Sequence, residues 1–375
     1  MYIKRDAEEQ VKKALSNGLV AIIYGARQVG KTTLAKQILN SEPDSLYLNC
    51  DDPVVVASLS NKSAIELKSN IGNAKLVVID EAQRVENIGI TLKLIHDTYP
   101  EIQLIATGSS SLDLANKINE PLTGRSQEIL LYPLSVSEVS SNNMEILPHA
   151  RIMLDRGGYP HISQLSIGEA HARLKSIANN YIFRDAFAPQ VIYDQKIITD
   201  LLALLAHQIG NEVSYGELAS HLSVSKVTAM RYVDLLEKAF IVIRVNQYRR
   251  NQRVEVGRLR KVYFIDLGIR NAVIDNFLPL DKRDDIGQLW ENFCYMERLK
   301  FLQRSSRTVK SYYWRNLEQR EIDLIEQEGQ ELRAYEMKYK SNKLPKLPIA
   351  FTRSYPDYTS YELVNQDTFI NTILK

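Results

Sequence analysis

Eight consecutive residues constrain this chain more tightly than any other stretch: Gly25-Ala26-Arg27-Gln28-Val29-Gly30-Lys31-Thr32 fits the pattern GxxxxGK[ST]. Before it stands the apolar, β-branched run LVAIIY (19–24), and after it a helix-forming stretch (33–39), the strand–loop–helix setting that this pattern requires. Glycines let such a loop turn its backbone N–H groups inward, and the helix N-terminus adds partial positive charge, so the segment cradles phosphate. The nucleotide-binding set expected from it is Gly25, Ala26, Arg27, Gln28, Val29, Gly30, Lys31, Thr32 and Thr33. Lys31 would reach the β- and γ-phosphates, and the Thr32 hydroxyl would ligate Mg²⁺, which makes ATP and Mg²⁺ the expected cofactors.

A second signal lies some fifty residues downstream. LVVIDE (76–81) is a buried apolar run ending in two acids, which places carboxylates at the C-terminal tip of a strand, the edge where ligands bind in open α/β sheets. Asp80 would hold Mg²⁺ through water, and Glu81 would orient and deprotonate the attacking water. The next apolar run (103–106) ends in Thr107-Gly108-Ser109, so Thr107 or Ser109 is the candidate sensor of the γ-phosphate. Arg125, in Gly124-Arg125, is the candidate cation beside the transferred phosphoryl group, because guanidinium offers planar, permanent charge.

Composition sets outer limits. With 375 residues, 45% apolar and 25% charged, the chain is long enough for two or three cored domains and unlike a collagenous, coiled-coil or disordered sequence. Its 47 basic and 45 acidic side chains leave a net charge of +2, so any nucleic-acid surface must come from local clustering. Cys50 and Cys294 have no CxxC spacing, which fits a reducing compartment and offers no zinc site. No apolar run approaches the roughly 18 residues of a membrane span. A cytoplasmic protein without a membrane partner is expected.

The hydrophobic pattern predicts buried strands at 19–24, 46–48, 76–79, 103–106 and 129–131, alternating with helices, and hence a parallel sheet. Helical spacing then dominates (170–185 and 196–209), and strands return at 261–266, 311–314, 321–325 and 334–339, with a helix over 288–301. The expected divisions are 1–140, 141–210, 211–255 and 256–375.

Within 211–255, Ser214-Tyr215-Gly216-Glu217 has the form of a capping box opening a short helix, and a second helix follows Val224-Ser225, the layout of a DNA reader. Between 244 and 261 stand Arg244, Arg249, Arg250, Arg253, Arg258, Arg260 and Lys261 against Glu255 alone. Lys226, Arg231, Arg249, Arg250 and Arg253 are the candidate DNA contacts. Packing or subunit contact by the same fold, with solvated arginines, is the competing explanation.

Near the C-terminus, EIDLI (321–325) and AYEMK (334–338) read as two strands joined at a turn around Gly329. Period-two alternation brings Asp323, Glu336 and Lys338 together, while Ile322, Leu324, Tyr335 and Met337 face the other way. The arrangement resembles the Asp…GluxLys core of the PD-(D/E)xK nuclease-like superfamily, with Glu291 on the preceding helix as a fourth member. The resemblance implies Mg²⁺ held by Asp323 and Glu336, with Lys338 stabilising the attacking hydroxide or the developing phosphate charge. A solvated, ion-paired strand face is the competing explanation for these side chains.

YGARQVGKTTL, LVVIDEAQRV, ATGSSSLDL, LTGR, YPLS and RGGYP follow one another in an order that resembles one family of prokaryotic AAA-type ATPases. The resemblance spans nearly the whole chain. It implies an α/β fold with an N-terminal P-loop NTPase (an ASCE/AAA-type parallel sheet), a helical and winged-helix middle, and a C-terminal α+β nuclease-like domain. Lys31, Thr32, Asp80 and Glu81 fall on the family's motif positions. Three functions remain open at this stage: an ATPase acting with DNA, an ATP-gated metal-dependent nuclease, and a non-enzymatic ATP-dependent switch that recruits a protein partner. Assembly into a homo-oligomer is also expected of AAA-type relatives.

Overall fold

A computed structural model describes residues 2–108, 121–184, 194–249, 259–305 and 307–375, without the side chains of 180–184. The chain divides into two units, Met1–Leu134 with Lys238–Phe240, and Ser135–Glu237 with Ile241–Lys375. No helix of the described residues is long and apolar enough to cross a membrane.

The first unit is built on five parallel strands, β1 (Val20–Tyr24), β2 (Ser45–Asn49), β3 (Leu76–Asp80), β4 (Gln103–Gly108) and β5 (Ser126–Leu130), in the order β2-β3-β4-β1-β5. All five apolar runs expected to be strands are strands. β1 and β3 are buried at every residue, as apolar runs covered by helices on both faces must be. Ile22, Val77, Ile79 and Leu104 from the sheet pack with Leu67, Leu92 and Ile95 from helices in one core cluster, each side chain contributing about 1.5–3 kcal/mol by its burial. Parallel pairing has one consequence for function: the C-terminal ends of β1, β3 and β4 lie at one edge, so Gly25, Asp80 and Thr107 meet there.

Two short helices between β2 and β3 were not foreseen from periodicity, although their caps are legible. Asp52 accepts from Val54 N with Pro53 in the first turn, and Ser63 and Glu66 form a reciprocal capping box.

The second unit opens with a short helix, Val136–Val139, followed by helices Asn143–Arg156, Ile167–Arg184 and Gln195–His207. Helices Tyr215–His221 and Lys226–Lys238 follow, beside a three-stranded antiparallel sheet of β6 (Glu212–Val213), β7 (Val242–Val245) and β8 (Arg260–Phe264), in the order β6-β8-β7. Ser214 accepts from Glu217 N, one half of the capping box that the sequence suggested. The RGGYP segment serves packing. Asp266 caps helix Leu267–Val273 by accepting from Ile269 N (3.0 Å) and also takes Gly158 N (2.7 Å). A Cβ at Gly157, whose φ is +69°, would lie 2.1 Å from Asp266 Oδ1. Only glycine lets the backbone come that close.

Helix Ile286–Arg304 leads to a four-stranded sheet of β9 (Lys310–Arg315), β10 (Glu321–Glu328), β11 (Glu331–Met337) and β12 (Ser360–Val364), in the order β12-β11-β10-β9. β10 and β11 form the expected hairpin, with Gly329 at φ +60° in the turn. β12 joins β11 in parallel. The alternation on β10 departs from expectation: a register shift between Ile322 and Ile325 puts both into one core cluster with Trp314, Ala334 and Phe351. Strict period two would have sent them to opposite faces.

Candidate functional site

In the first unit the loop after β1 is shaped by its glycines. Gly25 has φ +153°, and a Cβ there would stand 2.2 Å from the carbonyl oxygen of Leu131. Gly30, at φ +98° in the left-handed region, caps the helix Lys31–Leu39, whose N-terminus thereby faces the loop. A buttress escaped the sequence analysis: the buried Arg5 donates from Nη1 to Val29 O and from Nη2 to Tyr132 O, both at 2.7 Å. Val29 and Ala26 are themselves buried, so they contribute backbone only, whereas Arg27, Gln28, Thr32 and Thr33 keep some exposure.

Lys31 is buried, and its Nζ donates to the carbonyls of Gly25 (2.9 Å) and Ala26 (2.8 Å). Burial pulls its pKa down to about 8, against the opposing pull of Glu81 and Asp80. Thr32 Oγ1 donates to Asp80 at 2.8 Å (Oδ2) and 3.1 Å (Oδ1). Asp80, 4% exposed, also accepts from Tyr47 OH at 2.6 Å and from Thr107 Oγ1. Thr107 in turn accepts from Glu81 N (3.2 Å), and Gln83 Nε2 donates to Glu81 Oε2 (2.6 Å). Thr32, Asp80, Glu81 and Thr107 are therefore brought together as the sequence implied. Ser109 lies outside the described residues.

Tyr47 was missed. It is in register with Val78 across β2 and β3, and Val78 shares its side of the strand with Asp80, which aims the phenol at the carboxylate. Burial and the bond to Asp80 raise its pKa.

Arg125 is not brought to this site. Its carbonyl pairs with Val20 N at the start of β1, and its Nε donates to Asp97 Oδ1 at 2.7 Å. β1 and β5 are parallel and the phosphate loop follows the far end of β1, so a strand length of about 15 Å separates Arg125 from the loop of its own chain.

Of the candidate DNA contacts, Lys226 and Arg231 are exposed on helix Lys226–Lys238, and Arg249 is exposed with hydrogen bonds to Gln247. Arg250, Arg253 and Arg258 lie outside the described residues. The basic cluster counted from sequence is smaller than it looked. Arg244 is spent on Asp234 and Glu237, and Lys261 is fully buried against Glu291 and Glu321. Neither faces a ligand.

At the C-terminal hairpin, Lys338 Nζ lies 2.7 Å from Glu336 Oε1 and 3.4 Å from Asp323 Oδ2, and Asp323 also accepts from Met337 N at 2.7 Å. Asp323 and Glu336 are 6% and 8% exposed, which rules out a solvated face for them. Glu291 joins from its helix: one oxygen each of Glu291, Glu321 and Asp323 lie within 4.8 Å of one another. Burial and the neighbouring Asp323 lift the Glu291 carboxyl to about 7, with Lys261 pulling the other way. A cavity of about 520 Å³ opens on these side chains. Glu321 and Lys261 are the members that sequence reasoning did not assign.

Comparison with known proteins matches residues 17–140 to the model of an AAA domain, and residues 149–280 and 286–371 to two domains of unknown function, DUF8612 and DUF4143. An uncharacterised protein of Mycobacterium tuberculosis is 29% identical over 348 residues, covering 92% of this chain and 75% of its own. Another, from Haemophilus influenzae, is 23% identical over 357 residues, covering 88% of this chain and 85% of its own. Among solved structures, a Walker-type ATPase of Pyrococcus abyssi is 16% identical, covers 72% of this chain and 96% of that one, and has a TM-score of 0.49. The AAA match falls on the unit that carries the loop. That unit has the parallel-sheet α/β fold of a P-loop NTPase and matches the AAA domain over residues 17–140.

Proposed function

We propose that this chain is a Mg²⁺-dependent ATP hydrolase that works with DNA. One observation carries the ATPase part: Asp80, at the tip of β3, collects the hydroxyls of Thr32, Tyr47 and Thr107 beside a glycine-shaped loop and a buried lysine. Hydroxyl and carboxylate oxygens within 3.1 Å of each other are a hard donor set, which fits Mg²⁺ held by Thr32 and Asp80. Bound there, the metal would supply charge neutralisation to the phosphate oxygens. Backbone N–H groups of residues 25–32 and the helix N-terminus hold the phosphates, and Lys31 turns from the Gly25 and Ala26 carbonyls to the phosphate oxygens. Glu81, steadied by Gln83, orients the attacking water and takes its proton. Thr107, which links Asp80 to the backbone of Glu81, is placed to couple the state of the γ-phosphate to both acids.

The DNA part rests on the second unit. Helix Lys226–Lys238 after a tight turn, with an antiparallel sheet beside it, supports a winged-helix assignment with Lys226 and Arg231 toward the phosphate backbone. Both cysteines are free and buried, in keeping with a reducing, cytoplasmic setting.

ATP turnover measured with and without double-stranded DNA across a salt series tests both parts. DNA should stimulate turnover at low salt. Lys226→Ala with Arg231→Ala should lower the slope of log affinity against log salt by about one per contact removed and leave DNA-free turnover unchanged. Robust turnover indifferent to DNA at every salt would refute the DNA part and leave the ATPase part standing.

A further inference from the structure

We infer that Lys261 is a built-in cation that closes the carboxylate cluster of Glu291, Glu321 and Asp323 to divalent metal. The cluster would otherwise suit a metal. Glu291, Glu321 and Asp323 offer hard oxygens within 4.8 Å of one another, and the cavity beside them gives an ion a way in. An ammonium group already sits on two of those three acids. Lys261 is 0% exposed, its Nζ lies 2.6 Å from Glu291 Oε1, and it also contacts Glu321 Oε1. The same Oε1 of Glu291 accepts from Tyr263 OH at 2.5 Å. An ammonium has donors and no acceptors, and a buried one left without carboxylates would carry an uncompensated charge. A metal at this place would therefore have to displace a buried ammonium whose charge these acids now answer.

Lys261 and Tyr263 lie two residues apart on β8, so one strand face presents both to Glu291. β8 is not part of the hairpin. The three-stranded sheet thus supplies the charge that the carboxylates need, and Lys338 does the same for Asp323 and Glu336. Each of the four acids has an ammonium in contact with it. Hard-cation sites in proteins instead leave carboxylate oxygens free for the ion.

Mn²⁺ alone is the probe, titrated into the nucleotide-free full chain, with unbound ion counted by electron paramagnetic resonance and folding checked by circular dichroism. Wild type and Asp323→Asn should bind equal numbers of ions. Lys261→Met should bind one more, and the gain should vanish in the Lys261→Met, Asp323→Asn double variant. An ion lost from wild type on Asp323→Asn would overturn the inference, as would a folded Lys261→Met chain that binds no more than wild type. Should Lys261→Met fail to fold, wild type against Asp323→Asn still decides: equal binding supports the inference and a lost ion refutes it. Neither outcome depends on the ATPase assignment, because Asp80 and Thr32 are unaltered throughout.

Discussion

Asp80 and Asp323 are both almost fully buried carboxylates on sheet strands, and their surroundings differ in kind. Asp80 is held by three hydroxyls, from Thr32, Tyr47 and Thr107. Those dipoles stabilise a carboxylate without cancelling its charge, so the group stays able to attract a cation. Asp323 accepts a backbone N–H and sits against an ammonium, in a group of acids that share Lys261 and Lys338. Its charge is already answered. Two acids that look alike in sequence, each in an apolar run, thus differ in charge environment through the donors that neighbouring elements deliver.

Breaking the contrast should begin where the effect is largest. Glu81→Gln removes the proton acceptor and should slow ATP turnover by about 10²–10⁴-fold while the chain still binds nucleotide; Asp323→Asn should leave turnover at the wild-type level. If both variants slowed turnover alike, the hairpin would belong to the same chemistry. Asp323→Ala strips the partner from Met337 N and should cost about 1–3 kcal/mol in urea unfolding, the cost of a buried donor left unmet. An unchanged midpoint would mean that this acid does not hold the hairpin.

Smaller effects sharpen the picture of Asp80. Tyr47→Phe deletes one of its hydroxyl donors, worth about 1 kcal/mol, and should change the Mg²⁺ concentration for half-maximal turnover by roughly fivefold with little change in stability at saturating nucleotide. Lys31 should reveal itself through protons. With a pKa held near 8 by burial, it is partly neutral above that pH, and phosphate draws it back to the charged form. Binding of ATP should therefore take up protons, increasingly so from about pH 7 to pH 9, as calorimetry in buffers of different ionisation enthalpy would register.

The parts legible in the sequence were those that depend on near neighbours. GxxxxGK[ST] is contiguous, the strand ending in Asp80 and Glu81 is a simple apolar run, and Gly329 marks its own turn. Residues whose role depends on distant partners were not legible. Tyr47 acquires its role from β3 beside it, and nothing in SLYLN sets it apart. Lys261 was counted with a basic run, yet its partners Glu291 and Glu321 lie 30 or more residues further on. Arg244 likewise reads as free charge, because its partners Asp234 and Glu237 stand upstream of the basic run. Arg125 is a different case: a residue just before a parallel strand sits at the edge opposite the phosphate loop, which sheet polarity alone implies. β12 stayed hidden since SYELV is half exposed and its alternation is weak.

Calorimetric titration of Mg²⁺·ATP into the full chain, beside Lys31→Ala, tests the central claim most directly. One site per chain in the wild type, weakened by about a hundredfold or more in Lys31→Ala, is the expected result. No binding by folded wild type, or equal binding by both, would contradict it.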